Sequence, residues 1–242
     1  MKRRILITGA GRRLGKTLAE HFLQLGWQVV AHFNTVCELV PRENLTCCQA
    51  DLSDSESLLA LCERLAELGP FDAVVHNASC FDPDAAVDLD LAKQLAHVEK
   101  HYRVHVTAPF LITQALADQF APSACMTVIS DIYADVPNER FSAYCASKAG
   151  LQNWALSSAQ RFRNRVRVNV IQPGPIQFLP NHDEAYRARV LSQSLTGEEL
   201  GYGAIVKAID YLMDNEAVTG TVMRVDGGRF VANRYDQTFQ HP

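Results

Sequence analysis

The chain alternates short apolar runs with longer amphipathic segments, and this alternation restricts the fold more than any other feature of the sequence. Seven runs are predicted as strands, most of them rich in Val and Ile: 4–8, 28–33, 45–50, 71–76, 125–130, 166–171 and 221–225. Apolar runs with little polar alternation are typical of parallel strands covered on both faces. The sequence therefore predicts an α/β fold, with one doubly wound parallel sheet of seven strands and helices on both faces.

The helical patterns lie between these strands, at 14–25, 55–68, 89–119, 143–163 and 202–215. Ser53 and Asp54 both offer an N-cap to the second helix, and Ser53 with Glu56 fits a capping box. No internal repeat or interdomain linker interrupts the pattern. We expect a single domain over residues 1–242, with a helical substrate-loop insert at about 176–197 and a C-terminal tail at 229–242.

Composition excludes several classes of partner. The formal net charge is −4, which gives no electrostatic reason to bind nucleic acid or an anionic membrane. No apolar run approaches the length of a transmembrane helix, and the run after the N-terminal arginines is too short for a signal peptide. The 7 cysteines form no CxxC pair, so we expect reduced thiols, no metal site and a cytoplasmic location.

A glycine-rich turn follows the first predicted strand, where residues 8–15 read TGAGRRLG. Glycines at 9, 11 and 15 allow a tight turn and a close approach of the backbone to a pyrophosphate, which then rests on the N-terminus of the next helix. An ordinary strand–helix turn is the alternative, because the spacing is not GxGxxG. The position in the first βα unit favours a dinucleotide site.

The ends of the second and third strands indicate which dinucleotide would bind. An NAD site requires a carboxylate about 20 residues after the glycines, whereas this chain has Asn34 and Thr35 there. These side chains and Arg12 can bind a 2′-phosphate, which favours NADPH, although a plain polar strand end is the alternative. Asp51, followed by Leu52, is a candidate for contact with adenine or, equally, a helix-capping turn residue.

Tyr144 and Lys148 form the most specific pair in the sequence. On a helix, positions i and i+4 share a face, so the ammonium would lie beside the phenol and lower its pKa. Many pairs of this kind belong only to a solvated helix face. Asp131 stands 13 residues before Tyr144, at the end of the fifth predicted strand, and is either a third member of the site or a turn residue.

Taken together, these motifs resemble the short-chain dehydrogenase/reductase family. The glycine turn, Asn77-Ala78, the Tyr144/Lys148 pair, Pro173-Gly174, Thr219-Gly220 and the residues 225–228 (VDGG) occur in the family's order. The resemblance covers roughly residues 3–229. It implies a Rossmann-type domain, hydride transfer with NAD(P) and a homotetramer.

Three departures from the family pattern resemble its pteridine reductase branch. Arg13 replaces the middle glycine, Asp131 replaces the usual serine, and residues 76–79 read HNAS. The resemblance implies that Arg13 meets the cofactor phosphate and the pterin, that Phe81 stacks on the pterin, and that Asp131 joins the Tyr–Lys pair. Residues 178–195 are most similar to bacterial reductases that act on dihydromonapterin.

The resemblance also implies the full set of site residues. The catalytic residues are Tyr144, Lys148 and Asp131. The cofactor contacts are Gly9, Arg12, Arg13, Leu14, Asn34, Thr35, Asp51, Leu52, Asn77, Ala78, Ser79, Tyr144, Lys148, Pro173, Gly174 and Ile176. The substrate contacts are Arg13, Phe81, Asp131, Tyr144 and Pro175. His105 replaces a family asparagine, which leaves open whether an imidazole continues the usual proton relay to the lysine.

We therefore expect an NADPH-dependent reductase of small-molecule dihydropterins, with dihydromonapterin as the preferred substrate and dihydrofolate as a second one. Arg13 would supply the charge that keeps Asp131 ionised. Two alternatives remain. One is a carbonyl or alcohol oxidoreductase of the same fold, and the other is a non-catalytic NADPH-binding sensor.

Overall fold

The computed structural model describes residues 2–84 and 90–232. Within these residues the strands form a seven-stranded sheet in the order β3-β2-β1-β4-β5-β6-β7, and every neighbouring pair is parallel. This confirms the predicted doubly wound sheet. The strands are β1 Arg4–Ile7, β2 Gln28–Phe33, β3 Leu45–Gln49, β4 Phe71–His76, β5 Phe120–Ile129, β6 Val166–Pro173 and β7 Val222–Val225.

Helices cover both faces of the sheet. The α-helices are α1 Arg13–Gln24, α2 Ser55–Glu67, α3 Leu91–Tyr102, α4 Ala108–Ala115, α5 Ser142–Arg161, α6 Glu184–Leu191, α7 Tyr202–Asp214 and α8 Arg229–Ala232. A π-helical turn, Arg103–Thr107, joins α3 to α4, and a 3-10 turn, Ile132–Ala134, follows β5. Helix α6 lies inside the predicted insert, while Leu89 and tail residues 233–242 fall outside the described residues.

Two local predictions are wrong. The helix predicted at 89–119 ends earlier than expected, at Ala115, the last residue of α4. The chain must turn before residue 119, because β5 already begins at Phe120, which pairs with Phe71. The sequence hides this early start, since the strand is irregular there and contains Ser123 at a positive φ of 61°. The capping box is also absent: Asp54 caps α2 by accepting from the backbone N–H of Ser57 at 2.8 Å.

The core consists of two apolar clusters, one on each face of the sheet. Leu6 and Val74 belong to the cluster that includes residues of α2, α4 and α5. Ile5 and Val75 belong to the other cluster, which includes residues of α1 and α7. Because successive side chains of a strand point to opposite faces, burial on both sides explains why the strands are almost wholly apolar.

The chain reverses its direction of winding between β1 and β4, which are adjacent in the sheet. Ligands of doubly wound sheets bind at such a switch point, outside the carboxyl ends of the strands. The loops after β1, β2, β3 and β4 meet there and line a cleft of about 900 Å³. Within the described residues, no helix is both long enough and apolar enough to cross a bilayer.

Candidate active site

The glycine turn after β1 is packed too tightly for larger residues. A Cβ at Gly15 would collide with the carbonyl oxygen of Gly9, and a Cβ at Gly11 would collide with that of Val36. Gly9 has a positive φ of 67°, which favours glycine. The turn therefore exposes backbone to the cleft at the point where α1 begins.

The N-terminus of α1 fits a dinucleotide phosphate. No side chain caps it, and its first turn contains no acidic residue. Arg12, Arg13 and Leu14 line the cleft at this end. Free helix N–H groups and guanidinium groups are the usual partners of a pyrophosphate, so the residues present suit NAD(P).

Arg13 adopts the left-handed backbone conformation, with a φ of 53°, at the position where the family usually has glycine. For a residue with a Cβ this conformation costs on the order of 1 kcal/mol. Strain of this kind persists where the surrounding structure holds a side chain in a needed place. The geometry therefore supports a functional role for the Arg13 guanidinium.

The loop after β2 is fixed to the glycine turn. The backbone N–H of Glu38 donates to the carbonyl oxygen of Gly11 at 2.8 Å, and Lys16 pairs with the Glu38 carboxylate at 3.1 Å. Asn34 and Thr35 line the same cleft as Arg12. The structure thus brings the predicted 2′-phosphate residues together, and their contact with a phosphate stays a prediction.

Asp51 and Leu52 line the cleft at the end of β3. Asp51 Oδ1 accepts from the backbone N–H of Ser53 at 2.8 Å and from its hydroxyl at 2.6 Å. These hydrogen bonds lower the pKa of the Asp51 carboxyl. The turn role that the sequence left open is therefore present, and contact with adenine stays a prediction.

The Asn77-Ala78-Ser79 segment also lines the cleft and is fastened to the glycine turn. The Asn77 side-chain amide donates to the carbonyl oxygens of Thr8 and Gly9 at 3.0 and 3.2 Å. The Thr8 hydroxyl accepts from the backbone N–H groups of Asn77 and Ala78. These contacts fix the end of β4 against the end of β1.

Sequence reasoning missed His32, which ties three strands together at this edge. Its Nδ1 accepts from the backbone N–H of Gly9 at 3.2 Å, and its Nε2 donates to the carbonyl oxygen of Ala50 at 3.1 Å. Burial lowers its pKa, which keeps the ring neutral. The available signal was a histidine within the otherwise apolar residues 29–33 of β2.

Tyr144, Lys148 and Asp131 meet in one buried site. The Tyr144 hydroxyl donates to Asp131 Oδ2 at 2.7 Å. Lys148 Nζ lies 5.6 Å from the centre of the Tyr144 ring and donates to the carbonyl oxygen of Ile129 at 3.0 Å. Tyr144 is 4% and Lys148 1% exposed, so this pair does not belong to a solvated helix face.

The electrostatics of this site differ from the prediction. Burial raises the pKa of Tyr144 well above 10, and the adjacent Asp131 carboxyl raises it further. The net shift of the Tyr144 pKa is therefore opposite in direction to the lowering that the sequence predicted. Burial lowers the pKa of Lys148 to about 8, against the opposing effect of Asp131.

Asp131 is both a turn residue and a member of the site. Its Oδ1 accepts from the backbone N–H of Tyr133 at 2.9 Å, and its Oδ2 accepts from Tyr144. Burial raises the pKa of Asp131, while these hydrogen bonds and the charges of Lys148 and Arg229 oppose the rise. The positive charges that act on Asp131 are thus those of Lys148 and Arg229, and burial outweighs them.

Arg229 and Arg13 lie in different parts of the site. Arg13 lies close enough to Tyr202 to affect its pKa. Burial raises the pKa of this phenol, and the Arg13 guanidinium opposes part of the rise. Arg229 is buried and donates to the carbonyl oxygen of Val190 at 3.0 Å and to Gln193 Oε1 at 2.6 Å. Sequence reasoning missed Arg229, although a basic residue directly after the VDGG motif was a visible signal.

Phe81 joins the cleft to the buried Tyr144. It lines the cleft and is 53% exposed. Its ring stacks on Phe141 with centroids 4.3 Å apart, and its centroid lies 4.7 Å from that of Tyr144 in an edge-to-face arrangement. Because Phe141 covers one face, a planar ligand would have to use the other face or the ring edge.

His105 holds the segment before Phe81 in place. Its Nδ1 donates to the Ser147 hydroxyl at 2.8 Å, and its Nε2 accepts from the backbone N–H of Cys80 at 3.3 Å and lies 2.9 Å from the Ser79 hydroxyl. Burial lowers its pKa well below 6.5. Both ring nitrogens are thus engaged, so the imidazole does not replace the relay asparagine through a direct bond to Lys148.

The residues at the end of β6 and directly after it lie outside the cleft lining. Gly174 N–H donates to the carbonyl oxygen of Val225 at 3.1 Å, and Ile176 packs against the cluster containing α1 and α7 residues. Pro175 is exposed. None of the three lines the 900 Å³ cleft, nor does Pro173, whereas Leu179 and Tyr202 do. The cofactor and substrate contacts assigned to residues 173–176 therefore stay predictions.

This combination of a parallel sheet, a glycine turn and a buried Tyr–Lys pair agrees with the family comparison. Residues 3–188 match the family described as short chain dehydrogenase. The chain belongs to this family.

Individual members of the family are similar to this chain over nearly its whole length. The dihydromonapterin reductase of Klebsiella pneumoniae is 35% identical over 235 residues, which are 94% of this chain and 96% of that protein. FolM alternative dihydrofolate reductase 1 from Brucella suis, solved in complex with NADP, is 25% identical, covers 95% of each chain and has a TM-score of 0.80. Its counterpart from Brucella canis, also with NADP, covers 99% of this chain and 97% of its own, with a TM-score of 0.83 and 24% identity.

Proposed function

We propose that this protein is an NADPH-dependent reductase that converts a 7,8-dihydropterin to its tetrahydro form, in tetrahydropterin and folate metabolism. Dihydromonapterin is the preferred substrate, and dihydrofolate is a second one. The names of the relatives support this substrate class. The observation that carries the proposal is the partly buried 2.7 Å hydrogen bond from Tyr144 to Asp131, because it replaces the usual serine partner of the tyrosine with a carboxyl group.

The cofactor would lie along the cleft from the loop after β2 to Tyr144. Arg12, Asn34 and Thr35 bind the 2′-phosphate, and the glycine turn with Arg13 accommodates the pyrophosphate. Lys148 binds the nicotinamide ribose. When bound, NADPH supplies the hydride that the C=N bond of the pterin accepts.

The proton for the ring nitrogen comes from the Tyr144–Asp131 pair, directly or through a water molecule. Burial raises the pKa of both groups, which favours the proton-bound form of the pair. The positive charge of Lys148 lowers the pKa of Asp131, so it opposes complete protonation of this carboxyl group. The pair thus acts as a proton donor without a phenolate in the resting state.

Asp131 and Phe81 recognise the pterin ring. A carboxylate oxygen retains lone pairs that accept N–H groups of a 2-aminopyrimidinone, which a simple ketone lacks. The exposed part of the Phe81 ring offers an apolar contact for the bicyclic system. Arg13 contributes positive charge at the phosphate end of the cleft.

The same carboxyl group separates this function from the two alternatives. Reduction of a ketone develops an oxyanion beside Tyr144, which a carboxylate would destabilise and a serine hydroxyl would stabilise. A protein that only binds NADPH has no need of a phenol buried against a carboxyl group and a lysine. Both alternatives are therefore less compatible with the site.

A substrate panel tests the proposal. The purified protein is mixed with NADPH and, separately, with dihydromonapterin, dihydrofolate, other dihydropterins and small ketones, while NADPH absorbance is followed. We expect the highest kcat/KM with dihydromonapterin and little turnover of ketones. Efficient ketone reduction without dihydropterin turnover would establish the carbonyl reductase instead, and cofactor binding without any turnover would establish the sensor.

We also infer that the protein is a homotetramer in the cytoplasm, organised as one domain whose 176–197 segment forms a substrate loop. An exposed apolar stripe on α3, at the helical spacing of Leu91, Leu95, Val98 and Tyr102, supports self-association. All seven cysteines are free thiols, as is usual in a reducing compartment. Sedimentation of the protein and of Leu95→Glu tests the assembly: the variant should sediment as a smaller species.

A further inference from the structure

Three residues with metal-ligating side chains meet beside the cleft. Cys80 and Asp82 line it, and the centroid of the buried His101 ring lies 6.2 Å from that of Tyr144. Cys80 and Asp82 lie in the segment after β4, and His101 lies in the last turn of α3. One ligand atom from each lies within 4.8 Å of the other two. Because two of these residues flank Phe81, the cluster is directly connected to the candidate substrate contact.

The His101 ring has one nitrogen without a partner. Its Nδ1 donates to the carbonyl oxygen of His97 at 2.9 Å, which leaves a lone pair on Nε2. Nε2 is buried and has no hydrogen-bond partner among the described residues, and the side chain is 0% exposed. Buried polar atoms are rarely left unpaired. A ring N–H donated to a backbone carbonyl is also the usual orientation of a metal-binding histidine.

The segment that carries the other two ligands is held at both ends. At one end, the backbone N–H of Cys80 donates to His105 Nε2 at 3.3 Å. At the other end, the Asp84 carboxylate contacts His97 Nε2 at 3.1 Å and accepts from the backbone N–H of Ser142 at 2.6 Å. A short segment fixed in this way loses little conformational freedom when a metal ion binds it.

We propose that Cys80, Asp82 and His101 form a binding site for one divalent cation of the zinc class. A thiolate, an imidazole and a carboxylate are the ligand types of Zn²⁺, whereas Mg²⁺ and Ca²⁺ prefer oxygen ligands alone. On binding, the Cys80 thiol releases its proton to solvent and the sulfur coordinates the metal. A water molecule completes the four ligands.

Lys100 is the group that competes with the metal. Its ammonium pairs with Asp82 Oδ2 at 2.8 Å, and both side chains are about half exposed. Ion pairs in such solvent-exposed positions are weak, so a cation held by sulfur and nitrogen as well can displace Lys100. The bound metal would restrain the segment containing Phe81. This site departs from the sequence-based expectation of no metal, because His101 is distant in sequence from Cys80 and Asp82 and the three residues lack CxxC spacing.

Metal binding can be measured without turnover, on the full chain. The metal-free protein is titrated with Co²⁺, whose absorption reports thiolate coordination, and Zn²⁺ is then added to displace it. We expect one Co²⁺ per chain with a thiolate absorption band. Cys80→Ser should abolish the band, and Asp82→Asn should weaken affinity about tenfold or more.

Cys37→Ser is the matched control, because the Cys37 and Cys47 sulfurs lie 4.0 Å apart at the surface and offer a competing thiol pair. The control should bind cobalt as the unmodified protein does. Retention of the band in Cys80→Ser, its loss in Cys37→Ser, or no stoichiometric binding would each overturn the proposal. We choose Asp82→Asn over a substitution of His101 because Asp82 is half exposed. Replacing the buried His101 could prevent folding, whereas Asp82→Asn should leave the fold intact.

Discussion

The two halves of the cleft are built in different ways. In the half around the glycine turn, backbone groups and neutral side chains such as Asn77 fix the geometry, through hydrogen bonds and the absence of a Cβ at Gly11. In the half around Tyr144, buried ionisable side chains fix it, and burial shifts their pKa values. The first half is thus defined by shape, while the second depends on which groups carry protons. Substitutions should therefore affect binding in one half and chemistry or pH dependence in the other.

The largest effect should follow from Tyr144→Phe, which removes the hydroxyl but keeps the ring. We expect kcat with dihydromonapterin to fall by about 10²–10⁴, because the proton donor is lost, while the affinity for NADPH stays close to normal. Stopped-flow kinetics and fluorescence titration of NADPH measure the two quantities. Tyr211→Phe, on the exposed part of α7, is the matched control and should behave as the unmodified protein. A nearly unchanged kcat in Tyr144→Phe would instead assign protonation to a water molecule organised by Asp131.

A change in the other half should alter the choice of cofactor. Asn34→Asp places a carboxylate where we expect the 2′-phosphate, so the preference for NADPH over NADH should fall about ten- to hundredfold, which corresponds to roughly 1.5–3 kcal/mol. The ratio of kcat/KM for the two cofactors measures this change. The unmodified protein should strongly prefer NADPH. Equal kcat/KM for both cofactors before any substitution would refute the 2′-phosphate assignment.

A buried histidine behind the cleft, packed against Thr113 and Trp154, should also make the fold sensitive to acid. His76 is fully buried at the end of β4, and burial lowers its pKa from 6.5 to about 3. The unfolded chain therefore binds this proton near pH 6.5 and the folded chain only near pH 3, so stability is complete above pH 6.5 and falls as the pH decreases towards 3. At pH 5 the loss should be about 2 kcal/mol.

His76→Asn tests this dependence, because asparagine does not titrate in this range. The difference between the unfolding free energies at pH 7 and pH 5, obtained by urea denaturation, should shrink by about 2 kcal/mol relative to the unmodified protein. An unchanged difference would show that other groups cause the acid sensitivity.

The smallest effect should come from Phe81→Ala, at the junction of the two halves. Loss of the aromatic contact should cost about 0.5–1.5 kcal/mol, so KM for dihydropterins should rise roughly two- to tenfold with NADPH affinity little changed. Phe141→Ala is the comparison, because that ring supports Phe81 from behind and should cause a smaller rise. A larger effect on NADPH than on the pterin would place Phe81 in the cofactor site.

The sheet, and the positions of the residues in the half around the glycine turn, could be predicted from the sequence. Apolar runs gave six strands to within a few residues, since burial on both faces leaves a strong signal. β5 was the exception, because its irregular first residues do not resemble a strand. The glycine turn was recognisable because close backbone contact permits only glycine at particular positions, and this restriction is local in sequence.

The sequence was insufficient for the electrostatics of the second half. The i, i+4 spacing of Tyr144 and Lys148 correctly placed them together, but the sign of the Tyr144 pKa shift depends on burial and on a carboxyl group from another element. The sequence predicts no role for Arg229 or His101, and it leaves the role of His105 open. Their contacts come from residues distant in the chain, which spacing alone does not reveal.

The left-handed backbone of Arg13 has a consequence for anyone who wishes to make this protein more robust. Glycine would accept that conformation without strain, so Arg13→Gly is an obvious choice for raising the melting temperature, and the gain should be on the order of 1 kcal/mol. The same change removes a guanidinium from the cleft. Given the role that we propose for Arg13, thermal selection on this chain would tend to discard the arginine, whereas selection for activity would restore it.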